Sequence, residues 1–234
     1  MLNQLEKRIT EGCSPERATL LLQLVNLLGA SLETAPASTS VSRHHAWQGG
    51  LLSHIHQMLD LIEIVDIESL SVKKESLITG ILLHDIAKTV DASGIPYYVP
   101  NVLKNGKVSE AKPWEINKDY LHMGVDVGLN NLPSPAKEQM SQYAYILANF
   151  LKLNDGQRSM SLIYALVPAL AESLTEEENQ AILYHGMGYE GIQYSSESGK
   201  ETNLLITLHF LDMLSSRNDK THFVKQTTPI PNEQ

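Results

Sequence analysis

A single cysteine, Cys13, stands among the 234 residues, so no disulfide can form within the chain and nothing calls for an oxidising compartment. The same scarcity argues against a zinc site built on thiolates, which needs several cysteines close together. Long apolar runs are missing as well. The hydrophobic stretches are short and interrupted, and no membrane-spanning segment is expected. The opening residues, MLNQLEKRIT, carry charges where a signal peptide would need an apolar core, so the expected compartment is the cytoplasm. A basic surplus is also absent. The formal net charge is −9, which argues against tight binding along a nucleic-acid duplex. It does not exclude a phosphorylated substrate, because bound divalent cations invert the local field.

The chain does have an ordinary globular balance, 42% apolar and 19% charged, and is long enough for one large core. No internal repeat or second-domain linker is visible. Ser14-Pro15 reads as the cap and first residue of a helix over 14–29, ending at Gly29. Residues 31–42 are rich in Ser, Thr, Ala and Pro and read as a loop. A second helix is expected from Gly49-Gly50, carrying Leu51, Ile55, Met58, Leu61 and Ile62. A third, with Ser71 placed to cap it, carries Ile78, Ile81, Leu82 and Ile86. Asn105-Gly106 between YYVPNVL and VSEAKPWEI predicts a small β-hairpin over 97–112. Helical patterning resumes near Tyr120, from Ser134-Pro135 to Leu153, and over 158–173. Thr175 and Glu178 form a capping-box pattern ahead of a helix reaching His185, and a last helix spans about Asn203 to Ser216. The expectation is one all-α domain over 1–217, with helix 14–29 packed on it and a loose tail over 218–234.

Ionisable residues fall where helical phase predicts burial. Asp85 shares a stripe with Ile78, Ile81 and Leu82; Asp212 is in phase with Leu205 and Leu208; His54 sits with Leu51, Met58 and Leu61; His185 follows Ala181 and Ile182. Any one such histidine is more often a hydrogen-bonded core residue than a ligand. The set is another matter. A buried carboxylate without a partner costs several kcal/mol, so it must be paired, protonated or bound to metal. Convergence of these helices around shared cations solves all the burial problems together. Oxygen donors mixed with imidazole suit Mn²⁺, Fe²⁺, Mg²⁺, Co²⁺ or Zn²⁺.

The same residues carry a resemblance. The stretch 35–59 (APASTSVSRHHAWQGGLLSHIHQML) resembles the opening segment of HD-domain proteins, and ILLHDIAK over 81–88 is similar to their signature His-Asp pair. LTEEENQAILYHGMG over 174–188 and ETNLLITLHFLD over 201–212 resemble their later His-bearing and Asp-bearing helices. The likeness covers most of 35–217 in the expected order. It implies an HD-domain helical bundle and ligation of one or two divalent cations by His54, His84, Asp85 and Asp212, with Asp85 bridging and His185 a further ligand. For one more ligand position two residues compete. His122 lies in a helix-like setting beyond the hairpin, and is the favoured one. Asp155 lies in NDGQRS, which resembles a Gly-His-Gly-Glu-Lys-Ser segment of one bacterial branch.

Two cations roughly 3.5–4 Å apart polarise a phosphoryl oxygen and activate water near neutral pH. The expected activity is hydrolysis of a phosphoester in a small substrate, in particular a nucleotide, with Asp85 and Lys88 as the catalytic residues. Lys88 is placed to contact phosphate; His44 and Arg158 are further candidates, and Trp47 and Tyr189 are candidates for stacking on a base. Two other classes stay open: a 3′-5′ exonuclease or cyclic-nucleotide phosphodiesterase, and an inactive metal-bound interaction module. Long nucleic acid is the less favoured partner, no membrane partner is expected, and the oligomeric state is left open.

Overall fold

Eight α-helices and one two-stranded ribbon make up the described residues. The computed structural model describes residues 1–120, 154–186 and 201–227, the last segment's side chains as far as 217. The helix expected over 134–153 lies outside the described residues, as do His122 and Tyr189. Among the described residues no helix is long and apolar enough to cross a membrane.

At the N-terminus, α1 (Leu2–Gly12) has no counterpart in the sequence reading; it forms because Leu5 and Ile9, one turn apart, are fully buried. Ser14 and Pro15 open α2 (Pro15–Leu32) as read, the Ser14 hydroxyl accepting the Arg17 N–H at 3.4 Å. Gly29 does not end this helix. Burial of Leu28 and Leu32 outweighs the roughly 1 kcal/mol helical cost of the glycine. Helix α3 (Gly50–Ile62) follows a sharp reversal in which Gly49 takes φ +76°, and a β-carbon on Gly50 would lie 1.9 Å from the His45 carbonyl oxygen. Only glycine tolerates that approach.

At α4 (Lys74–Leu83) the chain departs most from the pattern its sequence suggests. Ser71 does not cap it; that residue has φ +56°, and Lys73 holds the cap position. Nor does the helix carry Asp85. His84 is the C-cap, Asp85 leaves helical geometry, and residues 86–88 form a 3₁₀ turn. No local breaker dictates this, and the cause is long-range. The buried Ser159 hydroxyl donates to the His84 carbonyl at 2.9 Å and accepts the Ala87 N–H at 3.3 Å, while the Tyr120 hydroxyl donates to the Ala87 carbonyl at 3.0 Å. These partners satisfy backbone groups that would otherwise be orphaned at the helix end.

In the ribbon, β1 (Tyr98–Pro100) and β2 (Trp114–Ile116) pair antiparallel. The turn uses Gly106 at φ +80°, as Asn-Gly anticipates, but the second strand lies beyond the expected 97–112 boundary. Asn154 and Gln157 form a capping box at the start of α5 (Asp155–Leu166), and Pro168 separates it from α6 (Pro168–Ser173). The Thr175–Glu178 capping box opens α7 (Glu176–Tyr184) as read. Helix α8 runs from Asn203 to Thr227, so 218–227 is helix rather than loose tail. Neither glycine nor proline interrupts NDKTHFVKQT; the next breaker is Pro229.

Leu5, Leu21, Leu51, Ile81, Ile163, Ile182 and Leu208, one from each of seven helices, belong to one buried cluster. Helix α8 packs against α3, α4 and α7, and α5 packs on α7 and on the 3₁₀ turn. These contacts bring parts of α3, α4, α5, α7, α8 and the 3₁₀ turn to one place.

Candidate metal centre

His54 comes from the middle of α3, His84 from the end of α4, Asp85 from the break after it, His185 from the C-cap of α7 and Asp212 from α8. The fold brings all five together. His54 Nε2 lies 3.2 Å from Asp212 Oδ1, His84 Nε2 3.5 Å from Asp85 Oδ2, and His185 Nε2 3.6 Å from Asp85 Oδ1. Ring centroids are 5.5 Å apart for His54 and His84 and 4.8 Å for His84 and His185.

The outer nitrogens decide what the inner ones can do. His84 Nδ1 is 2.9 Å from the Ile81 carbonyl and His185 Nδ1 is 2.9 Å from the Ile182 carbonyl. A carbonyl only accepts, so each Nδ1 carries the proton. His54 Nδ1 is 2.9 Å from Ser215 Oγ, and that hydroxyl donates to Gln57 Oε1 at 3.0 Å, which turns its lone pair to the imidazole. Each of these histidines is thus fixed with Nε2 facing inward. His54 Nε2, His84 Nε2 and Asp85 Oδ1 are buried with no hydrogen-bond partner among the described residues. One ligand atom each from His54, His84 and Asp85 falls within 4.8 Å of the others. Orphaned buried acceptors at this separation are costly alone and suit a shared cation, so this His/Asp cluster could hold a metal ion.

The electrostatics agree. Burial pushes His84 down to about 4, which keeps its inner nitrogen unprotonated at neutral pH. Burial alone would raise the Asp85 carboxyl, but Lys88 and then His84 hold it well below the ordinary range. Asp212 is held low in the same way, burial being outweighed by the adjacent His54 imidazole. His185 is pushed up to about 9, because Asp85 outweighs the cost of burying the imidazolium. Lys88 Nζ sits 2.6 Å from Asp85 Oδ2 and 3.5 Å from Asp155 Oδ2; against burial, those carboxylates raise it well above its usual value.

Asp155, the first residue of α5, thus faces the same cluster, while its competitor His122 lies outside the described residues. The cluster opens into a cavity of about 450 Å³ lined by Asp85, Lys88, Asp155, His185 and Asp212, with Arg43, His44, His209 and Arg217 also on its walls. The His44 ring lies tilted 5.0 Å from that of His54 and is pushed down to about 2, chiefly by burial, so it would meet a phosphate as a neutral donor. Arg158 does not line this cavity. Its guanidinium binds Asp155 and lies 5.2 Å over the Tyr97 ring, so it positions a carboxylate rather than reaching into the space. Trp47 packs 5.0 Å from His45 and lines no part of the cavity.

Ser215 and Gln57 escaped the sequence reading. The signal was present: Ser215 continues the Leu208–Leu211 stripe of α8, and Gln57 sits one turn after His54. No protein-family model matches the chain, and no solved structure matches it.

Proposed function

We propose that the chain is a metal-dependent phosphohydrolase of the HD-domain class, acting on a phosphoester of a nucleotide or similar small molecule. One observation carries this reading: imidazoles locked with Nε2 inward, two of them orphaned, face the carboxylates of Asp85 and Asp212 beside a cavity that also holds a cationic lysine. His54, His84, Asp85 and Asp212 are the residues suited to hold one cation, and Asp155 and Asp85, with His185 once a cation displaces its Nε2 proton, would help hold a second. A divalent cation in such a setting supplies Lewis acidity toward a phosphoryl oxygen and lowers the pKa of water.

The chain's own groups do the rest. Lys88 offers a buried ammonium to non-bridging phosphate oxygens, and Asp85 and Asp155 keep it charged. Ser215 and the carbonyls of Ile81 and Ile182 hold the imidazoles in one tautomer, so no reorientation is needed when charge arrives.

The test is a panel of nucleoside mono-, di- and cyclic phosphates and short RNA, assayed with Mn²⁺, Mg²⁺, Co²⁺ and Zn²⁺. Release of phosphate or nucleotide from small substrates is expected, with Asp85→Ala losing turnover and bound metal together. Cleavage of oligonucleotides alone would favour an exonuclease. No activity with any metal would leave a metal-binding interaction module.

A further inference from the structure

Lys88 borders two cavities. Besides the space beside Asp85 it lines a smaller one of about 220 Å³, walled by Tyr98 and Trp114 of the ribbon and by Pro36 and Pro96, with Gln48 and Thr34 as polar groups. The ribbon's register accounts for the aromatic wall. Tyr98 pairs with Ile116 and Pro100 with Trp114, so all four side chains leave the same face.

The indole is held in place before any ligand arrives. Trp114 Nε1 donates to the Ala46 carbonyl at 3.0 Å, and its backbone N–H reaches Thr39 at 3.4 Å. The Ser40 hydroxyl donates to the Ala111 carbonyl at 3.0 Å, seating the ribbon on the loop before α3. A fixed indole beside an open space binds a flat ring with little ordering cost. Trp47, by contrast, lines neither cavity.

The smaller cavity falls below the roughly 300–1,000 Å³ typical of a whole small-molecule site, so it fits one part of a ligand. The two spaces differ as the two ends of a nucleotide differ. One is lined mostly by charged groups, the other by aromatic, proline and uncharged polar groups, and Lys88 lines both. We infer that the Tyr98–Trp114 cavity is a nucleobase subsite, so that the substrate is a nucleoside phosphate whose base stacks on Trp114 while its phosphate meets Lys88. Gln48 supplies both a donor and an acceptor for the edge of the base. The phosphate end of this assignment rests on the hydrolase reading above; the base end rests on the ribbon.

The experiment uses a Trp47→Phe protein, leaving Trp114 as its only tryptophan. Inorganic phosphate, ribose 5-phosphate and nucleoside 5′-monophosphates are titrated with Mn²⁺ present, by indole fluorescence and by calorimetry. Nucleotides should quench Trp114 and bind roughly tenfold tighter than ribose 5-phosphate, the scale of one base stacked on an aromatic ring. Trp114→Ala should erase that preference and Trp114→Phe restore most of it. Gln48→Ala, at an exposed position where folding is not at stake, should weaken nucleotides several-fold. Equal binding of nucleotide and sugar phosphate, or a preference that survives Trp114→Ala, overturns the subsite. Trp114-dependent nucleotide binding without phosphate release under any metal keeps the subsite and sinks the hydrolase. Equally efficient hydrolysis of ribose 5-phosphate and nucleotides does the reverse.

Discussion

Replacing Ser215 by alanine should weaken metal binding although this residue touches no cation. The Ser215 hydroxyl is fully buried, donates to Gln57 Oε1 at 3.0 Å and accepts from His54 Nδ1 at 2.9 Å. Without it the imidazole has two choices. It can keep its proton on Nδ1 and leave a buried donor unpaired, at a cost of about 1–3 kcal/mol. Or it can move the proton to Nε2 and donate to Asp212, only 3.2 Å away. The second choice removes the His54 lone pair and occupies an Asp212 oxygen at once. Either way affinity should fall about 10- to 100-fold, the usual effect of losing such a supporting group, or about 1.4–2.8 kcal/mol. Competition against a chromophoric chelator with Mn²⁺ or Zn²⁺ measures this, and urea unfolding of the metal-free protein separates it from loss of stability. Parental affinity in Ser215→Ala would refute the tautomer argument.

Gly156→Ala should destabilise the chain by about 2 kcal/mol in urea unfolding and also lower metal affinity, because its β-carbon would lie 2.2 Å from the Ile182 carbonyl oxygen and push α5, with Asp155, away from α7. Unchanged stability would mean that the two helices separate easily. Arg17 reaches Glu178 Oε2 at 3.1 Å and the Ser173 carbonyl at 2.9 Å, with both side chains of the ion pair buried. Arg17→Met should therefore cost about 3–5 kcal/mol by leaving a lone buried carboxylate. Adding Glu178→Gln, which keeps an acceptor for the Thr175 N–H, should recover a large part of that loss in equilibrium unfolding; a double variant no more stable than the single one would contradict the charge argument.

Much of the site could be read in the sequence because it consists of ionisable residues on apolar stripes. His54, Asp212 and His185 each break a run of buried aliphatic positions, and burial without a partner is costly enough to point at function. Asp85 is a different case. Helical phase placed it on the stripe of Ile78 and Ile81, whereas the chain leaves the helix at His84 and turns the carboxylate inward. The groups that enforce the break, Ser159 and Tyr120, lie 75 residues beyond His84 and 33 beyond Ala87 in sequence, and no local pattern marks them as partners. Asp155 could be named only as one of two candidates, because its place at the start of α5 depends on how closely α5 approaches α7 at Gly156. The aromatic cavity was illegible for a similar reason. Asn105-Gly106 announces a hairpin, but only the register shows that Tyr98 and Trp114 share a face. Gly29 and the 218–227 segment show the opposite error, where local composition suggested an end that burial or the absence of a breaker did not impose.

The most direct test is the anomalous diffraction of a crystal equilibrated with Mn²⁺. A strong peak is expected within bonding distance of His54 Nε2, His84 Nε2 and the carboxylates of Asp85 and Asp212, and it should vanish in Asp85→Ala. A fully loaded solution with no peak at that cluster, or a peak among other residues, would contradict a shared cation as the reason these side chains meet.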